Sequence, residues 1–163
     1  MKKISLIGST GSIGRQVLDI VRRNPDKFKI VALVANGASE EFERQKSEFA
    51  PGFSALASIE EDKALACATL SDADIIFNAA GGFAGLKYSL KAVESGKTLA
   101  LANKETLVCG GEIIMPLAQK TGAKIIPVDS EHSAIWRIQF PLHKRQSLFL
   151  NPEILSYCKD NFF

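Results

Sequence analysis

The chain has 163 residues, of which 46% are hydrophobic, 23% charged and 8% aromatic. This is ordinary globular usage, which excludes disordered, collagen-like and coiled-coil classes and leaves room for one core. The formal charge of +2 lies wholly beyond Trp136, since residues 1–136 hold 16 basic and 16 acidic side chains, and a neutral body argues against a nucleic-acid partner.

Short apolar runs alternate with amphipathic segments, the pattern of βα units feeding a parallel sheet. Met1-Lys2-Lys3 and the apolar residues after it imitate a signal peptide, but Gly8 and Arg15 come too soon for its apolar core. Lys3 to Ile7 therefore reads as the first strand. Ile13, Val17, Leu18, Ile20 and Val21 form a helical stripe that ends before Asn24-Pro25, and Phe28 to Ala35 is the second strand. Ser39 is placed to cap a helix over Glu40 to Phe49, closed by the Pro51-Gly52 turn. Phe53 to Ala57 is a short strand, and Ser58-Ile59-Glu60-Glu61 predicts a capping box for a helix reaching Leu70.

Asp74 to Asn78 predicts a buried strand, Gly85 to Ser95 a helix stopped by Gly96, and Thr98 to Leu101 the next strand. Glu105 to Thr121 is helical in pattern, with Gly110-Gly111 and Pro116 expected to break or kink it, and Ile125 to Val128 closes the series. The expected fold is α/β and Rossmann-like: a doubly wound, mainly parallel sheet with helices on both faces, over residues 1–136. Residues 137–163 show no further strand-helix unit and read as a separate, divergent or truncated tail. No run approaches the roughly 18 apolar residues of a membrane helix. Cys67, Cys109 and Cys158 are odd in number and far apart, so they suggest neither a zinc site nor a disulfide framework and read as reduced thiols of a cytoplasmic protein.

Gly8-Ser9-Thr10-Gly11-Ser12-Ile13-Gly14 lies between the first strand and the first helix, the context a dinucleotide-binding turn requires. Gly8 permits the turn, Gly11 lets backbone approach a pyrophosphate, and Gly14 permits close helix packing. The helix N-terminus and the hydroxyls of Ser9, Thr10 and Ser12 supply donors for the phosphates. After the second strand, Asn36-Gly37-Ala38 holds no carboxylate to repel a 2′-phosphate, which favours NADP over NAD, though no cation grips it there either.

Ligands of open parallel sheets sit beyond the carboxyl ends of the strands. Three further ends are chemically distinctive. Asn78 to Gly85 offers small residues, Asn103-Lys104-Glu105 groups an amide, a cation and a carboxylate at a helix start, and Asp129-Ser130-Glu131 can present two carboxylates to one hard divalent cation, Mg²⁺ or Mn²⁺. A flexible loop, a solvated cap and an acidic first helical turn are the plain structural alternatives. His132 reads as a hydrogen-bonding residue rather than a metal ligand.

Gly8 to Gly14, Leu101-Ala-Asn-Lys-Glu-Thr-Leu-Val108 and Pro127-Val-Asp-Ser-Glu-His132, in that order and spacing, resemble the amino-terminal region of the 1-deoxy-D-xylulose 5-phosphate reductoisomerases. The resemblance implies an enzyme that rearranges a small phosphorylated sugar and reduces it with NADPH to 2-C-methyl-D-erythritol 4-phosphate, assisted by Mg²⁺, Mn²⁺ or Co²⁺. Carried over by position, Thr10, Gly11, Ser12 and Ile13 hold cofactor phosphates, with Gly8 and Gly14 shaping the loop. Asn36, Gly37, Asn103 and Glu105 line the cofactor site. Lys104 and Glu131 carry catalytic roles, Asp129 and Glu131 hold the metal, and Lys104, Ser130 and Glu131 meet the substrate.

The family's Gly-Lys-Asn-like run is replaced here by Asn36-Gly37-Ala38, the segment from Asn36 to Ser71 is shorter, and the resemblance stops near Trp136. The 163-residue chain is therefore expected to be a fragment without the catalytic domain, inactive alone, from a family that can form homodimers. A non-catalytic nucleotide-binding module and a reductase of semialdehyde type are the competing readings.

Overall fold

A computed structural model describes residues 1–128. Eleven elements alternate strictly: β1 (Lys2–Ile7), α1 (Ser12–Arg23), β2 (Phe28–Ala35), α2 (Glu40–Phe49), β3 (Phe53–Leu56), α3 (Glu61–Cys67), β4 (Ile75–Asn78), α4 (Gly85–Glu94), β5 (Thr98–Leu101), α5 (Lys104–Thr121) and β6 (Ile125–Pro127). The strands form one six-stranded sheet in the order β3-β2-β1-β4-β5-β6. Every pairing is parallel, so the sheet is wholly rather than mainly parallel over the described residues. The chain winds outward from β1 to β3, returns across the sheet, and winds outward again from β4 to β6, as in a Rossmann fold.

Two hydrophobic cores flank the sheet, because a strand buried on both faces sends successive side chains to opposite sides, an alternation that the register shift at Val31 resets on β2. On β2, Ile30 and Leu33 join Val17, Leu18 and Val21 of α1 and Phe42 of α2. Val31 and Val34 join Ala64 and Cys67 of α3, Tyr88 and Ala92 of α4 and Ile114 of α5. Helices thus cover both faces, α1 and α2 on one and α3 to α5 on the other. Arg22 ties α1 to α2, donating to Glu48 at 2.5 and 2.9 Å with its guanidinium 5.6 Å from the Phe49 ring centre.

Two local expectations are corrected. Ser58 does not cap α3: the chain first makes a tight turn, with the Ile59 and Glu60 N–H groups both donating to the Leu56 carbonyl. Glu60 takes the capping position, and its carboxylate accepts from the Leu56 N–H at 3.1 Å. That bond, with the Lys63 ammonium, holds the Glu60 carboxyl below its ordinary value. The helix ends at Cys67, not Leu70. Further on, α5 runs unbroken through Gly110, Gly111 and Pro116. Gly110 serves packing instead, since a Cβ there would sit 2.6 Å from Leu86 Cδ1 on α4.

Cys67 is 1% exposed, and burial pushes its thiol from 9.0 up to about 11, whereas Cys109 is exposed. In a Cys158→Ser variant, a thiol reagent at pH 8 is expected to titrate one sulfur rapidly and the second only after unfolding. The unfolded chain loses its Cys67 proton at lower pH than the folded chain, so stability should fall as pH rises from about 9 to 11. That loss should vanish in Cys67→Ala, as read from denaturant midpoints across the range.

Candidate functional site

Strand order reverses between β1 and β4, and there the chains leaving the two strands must part. Gly8 turns away with φ +83, a backbone state costing other residues about 1–2 kcal/mol. A Cβ at Gly8 would also lie 2.6 Å from the Ala79 carbonyl oxygen. The N–H groups of Gly8 and Ser9 both donate to the Val34 carbonyl, at 2.8 and 2.9 Å, hooking the loop over the end of β2. At Gly14 a Cβ would fall 2.2 Å from the Gly8 carbonyl oxygen. Gly14 is therefore required by the folded loop itself rather than by helix-on-sheet packing.

Gly11 differs. Its φ of −69 is ordinary, and a Cβ would meet only Gly8 O at 3.4 Å and Ala79 O at 4.0 Å. Its bareness leaves space toward the open side. No side chain caps α1 and no acid occupies its first turn, so the N–H groups of Ser12, Ile13 and Gly14 are left for an anion. Thr10 is partly exposed beside them and Ser12 is exposed. Ser9, expected to lend its hydroxyl to phosphates, is instead fully buried. Its carbonyl accepts from Gln45 Nε2 of α2 at 3.1 Å, a contact that the sequence does not announce.

The facing rim runs from Ala79 to Ala84 and is held by two buried asparagines. Asn78 Nδ2 donates at 2.8 Å to both the Gly85 carbonyl and Ser89 Oγ, while its Oδ1 accepts from the Ala80 N–H at 3.1 Å. Asn103 caps α5 by accepting from the Thr106 N–H at 2.9 Å, and its amide nitrogen donates to the Ala80 and Gly82 carbonyls, the latter at 2.8 Å. Asn103 is 2% exposed, so it shapes the rim from behind. Lys104 opens α5 and Glu105 follows, partly buried, in its first turn.

Between the rims lies a cavity of about 310 Å³ lined by Gly8, Thr10, Gly11, Asn36, Ala57 and Ala80, among others. Gly8, Thr10, Gly11 and Asn36 are thus brought together, whereas Ser12, Ile13 and Gly14 are not among the residues lining the cavity. Gly37 sits behind Asn36, near Ser58. Sequence reasoning missed Ala57, Lys87 and Tyr88, which complete the wall. The Lys87 ammonium pairs with the Glu61 carboxylate, and that hydrogen bond raises the Lys87 pKa. Tyr88 is 2% exposed and its hydroxyl is buried without a partner. Burial raises the Tyr88 pKa, so the phenol stays protonated as a donor at neutral pH.

The site fits a dinucleotide: an uncapped helix start for the pyrophosphate, a bare glycine where backbone must approach, and an apolar slot beside it. Asp129, Ser130 and Glu131 lie outside the described residues. Among the described residues no group of three potential metal ligands occurs and no helix is long and apolar enough to cross a membrane.

The family model for 1-deoxy-D-xylulose 5-phosphate reductoisomerase matches residues 4–69 and 53–111. Reductoisomerases bearing that name from Nostoc sp. and Geotalea uraniireducens are 40% and 42% identical over 84% of this chain. The chain spans 40% of the length of either relative. Among solved structures, the Zymomonas mobilis enzyme in complex with NADPH superposes with a TM-score of 0.69 at 34% identity, covering 89% of this chain and 43% of its own. A reductoisomerase in complex with NADPH, fosmidomycin and magnesium gives 0.75 at 30% identity, over 81% of this chain and 37% of that one. Homoserine dehydrogenases at about 0.6 and 19–22% identity share the fold alone. With its strand order, its glycine loop and these matches in agreement, the chain belongs to the 1-deoxy-D-xylulose 5-phosphate reductoisomerase family.

Proposed function

We propose that this chain is an NADPH-binding unit which, within a protein of the family's full length, serves the NADPH-dependent conversion of 1-deoxy-D-xylulose 5-phosphate to 2-C-methyl-D-erythritol 4-phosphate. The observation that carries this reading is the cavity at the strand-order reversal, with the uncapped, acid-free start of α1 on one side. Thr10, Gly11, Ser12 and Ile13 receive the pyrophosphate through backbone N–H groups and the exposed hydroxyls. Asn36 and Gly37 lie at the adenosine end, and Asn103 and Glu105 fix the rim over which the nicotinamide half extends.

The cofactor supplies hydride. By its position in the family motif Lys104 would meet the phosphorylated substrate and add positive charge where negative charge develops. Asp129 and Glu131 hold a divalent cation, Mg²⁺, Mn²⁺ or Co²⁺, with Glu131 and Ser130 also meeting the substrate. Two carboxylates are few for a hard cation that takes about six oxygen ligands, so the substrate and further protein groups complete the set. We assign the protein to the cytoplasm, to a small phosphorylated sugar as its substrate and to neither nucleic-acid nor membrane partners; a homodimer belongs to the family's full-length form.

NADPH at 100 times its Kd should stabilise the chain by about 2.7 kcal/mol. If neither NADPH nor NADH raises the thermal midpoint, the cofactor reading fails. Gly14→Ala should destabilise the fold by about 1–3 kcal/mol, because its Cβ meets backbone. Gly11→Ala should instead keep the midpoint and abolish the NADPH-induced shift, since only the open side is filled. Isolated, the chain should bind Mn²⁺ weakly and indifferently to Asp129→Asn. Tight Mn²⁺ binding by calorimetry would overturn the shared ligand set.

A further inference from the structure

An NADPH molecule brings one phosphate more than NADH, and the glycine loop does not account for it. At the end of β2, where a 2′-phosphate is ordinarily met, Asn36-Gly37-Ala38 offers neither a carboxylate to repel it nor a cation to hold it. The other wall of the same cavity supplies what that end lacks. Lys87, in the first turn of α4, is the one charged side chain among the described residues lining the cavity. Its ammonium pairs with Glu61 at the start of α3 and stands 5.4 Å from the Tyr88 ring centre. Both partners of the pair are exposed, by 38% and 60%, so the pair is weakly held and readily exchanged. Beside it the Tyr88 hydroxyl is buried and unpartnered, a deficit that a ligand acceptor relieves.

We propose that Lys87 is the cofactor-selecting residue of this chain: on binding, its ammonium leaves Glu61 for the 2′-phosphate of NADPH, while the Tyr88 hydroxyl donates to the same adenosine end of the molecule. The inference rests on the reading of the cavity as an NADPH site. A phosphate dianion carries twice the charge of the Glu61 carboxylate and presents three acceptor oxygens, so the exchange favours the ligand. No covalent step is involved. Glu61 acts as a gate charge: it holds Lys87 in the free protein and competes with the incoming phosphate. The arrangement replaces a cation on the strand β2 side with one on the helix α4 side, across the width of the cavity.

The test is titration of the purified chain with NADPH, NADH, 2′,5′-ADP and 5′-AMP, followed by nucleotide fluorescence or by competition against it. Lys87→Met should weaken NADPH and 2′,5′-ADP at least tenfold while changing NADH and 5′-AMP by less than threefold, and Lys87→Arg should keep the preference. Glu61→Gln should tighten NADPH and 2′,5′-ADP severalfold without tightening NADH, a gain that a damaged fold cannot imitate. Equal losses for both dinucleotides in Lys87→Met, or an unchanged preference in both Lys87→Met and Glu61→Gln, overturn the assignment while leaving the NADPH site standing. If the unaltered chain binds neither dinucleotide, the site itself and this assignment fall together.

Discussion

The close approach of Gly8 to Ala79 is the constraint on which the site depends. Three strand ends meet there: the Gly8 N–H reaches Val34 of β2, while the Ala79 N–H reaches the Ile7 carbonyl of β1 at 2.9 Å. With backbone from three strands locked within hydrogen-bonding reach, no side chain fits between them, and the residue at the crossing must both lack a Cβ and accept positive φ. The floor of the cavity is consequently backbone. A polar ligand can rest on peptide dipoles at the shortest possible distance, and the glycine at the crossing is needed even by the empty fold.

From this floor the two rims rise by different means. The glycine loop is braced from α2 by Gln45, which donates to the Ser9 carbonyl, and from β2 by the Val34 carbonyl, which accepts from the Gly8 and Ser9 N–H groups, so the N–H groups left free are those at the start of α1. The rim after β4 is built from small residues and is held from beneath by Asn78 and Asn103, each buried and each with donor and acceptor engaged. Buried amides of this kind are costly to leave unpaired. Loop position is therefore coupled to the packing of α4 and α5: moving either helix would break a buried amide before it opened the cavity.

This division explains what could be read from the residue order. The strands were legible because β1, β2, β4 and β5 are apolar runs buried on both faces, and the glycine loop because its spacing is local and its context a strand and a helix. The start of α3 was not, since Ser58 has the right spacing for a capping box but a turn hydrogen-bonded to Leu56 displaces the helix by two residues. The continuity of α5 was also hidden, because its tolerance of Gly110 comes from the packing of Leu86 on α4. Ala57, Lys87 and Tyr88 reach the cavity through topology, from two helical connections far from the glycine loop in sequence. Ser9 and Asn103 were legible as site residues and turn out buried, braces of the two rims rather than walls of the cavity.

The distribution of charge over the helix starts shows why the cavity lies where it does. In a parallel sheet every helix that follows a strand begins at the same edge, so all five positive dipole ends gather there. Three are answered within the chain. Ser39 caps α2, whose first turn carries Glu40, Glu41 and Glu43; Glu60, Glu61 and Asp62 open α3; Asn103 caps α5 ahead of Glu105. The starts of α1 and α4 have neither a side-chain cap nor an acid in the first turn, and these are the two helices that follow the two strands at the reversal. At α4 the Gly85 and Leu86 N–H groups turn back to the Gly82 and Phe83 carbonyls, so it is the start of α1 that offers free N–H groups to a cavity walled largely by backbone and small side chains. The main body is neutral overall, so this local imbalance, rather than any net field, draws an anion to the site.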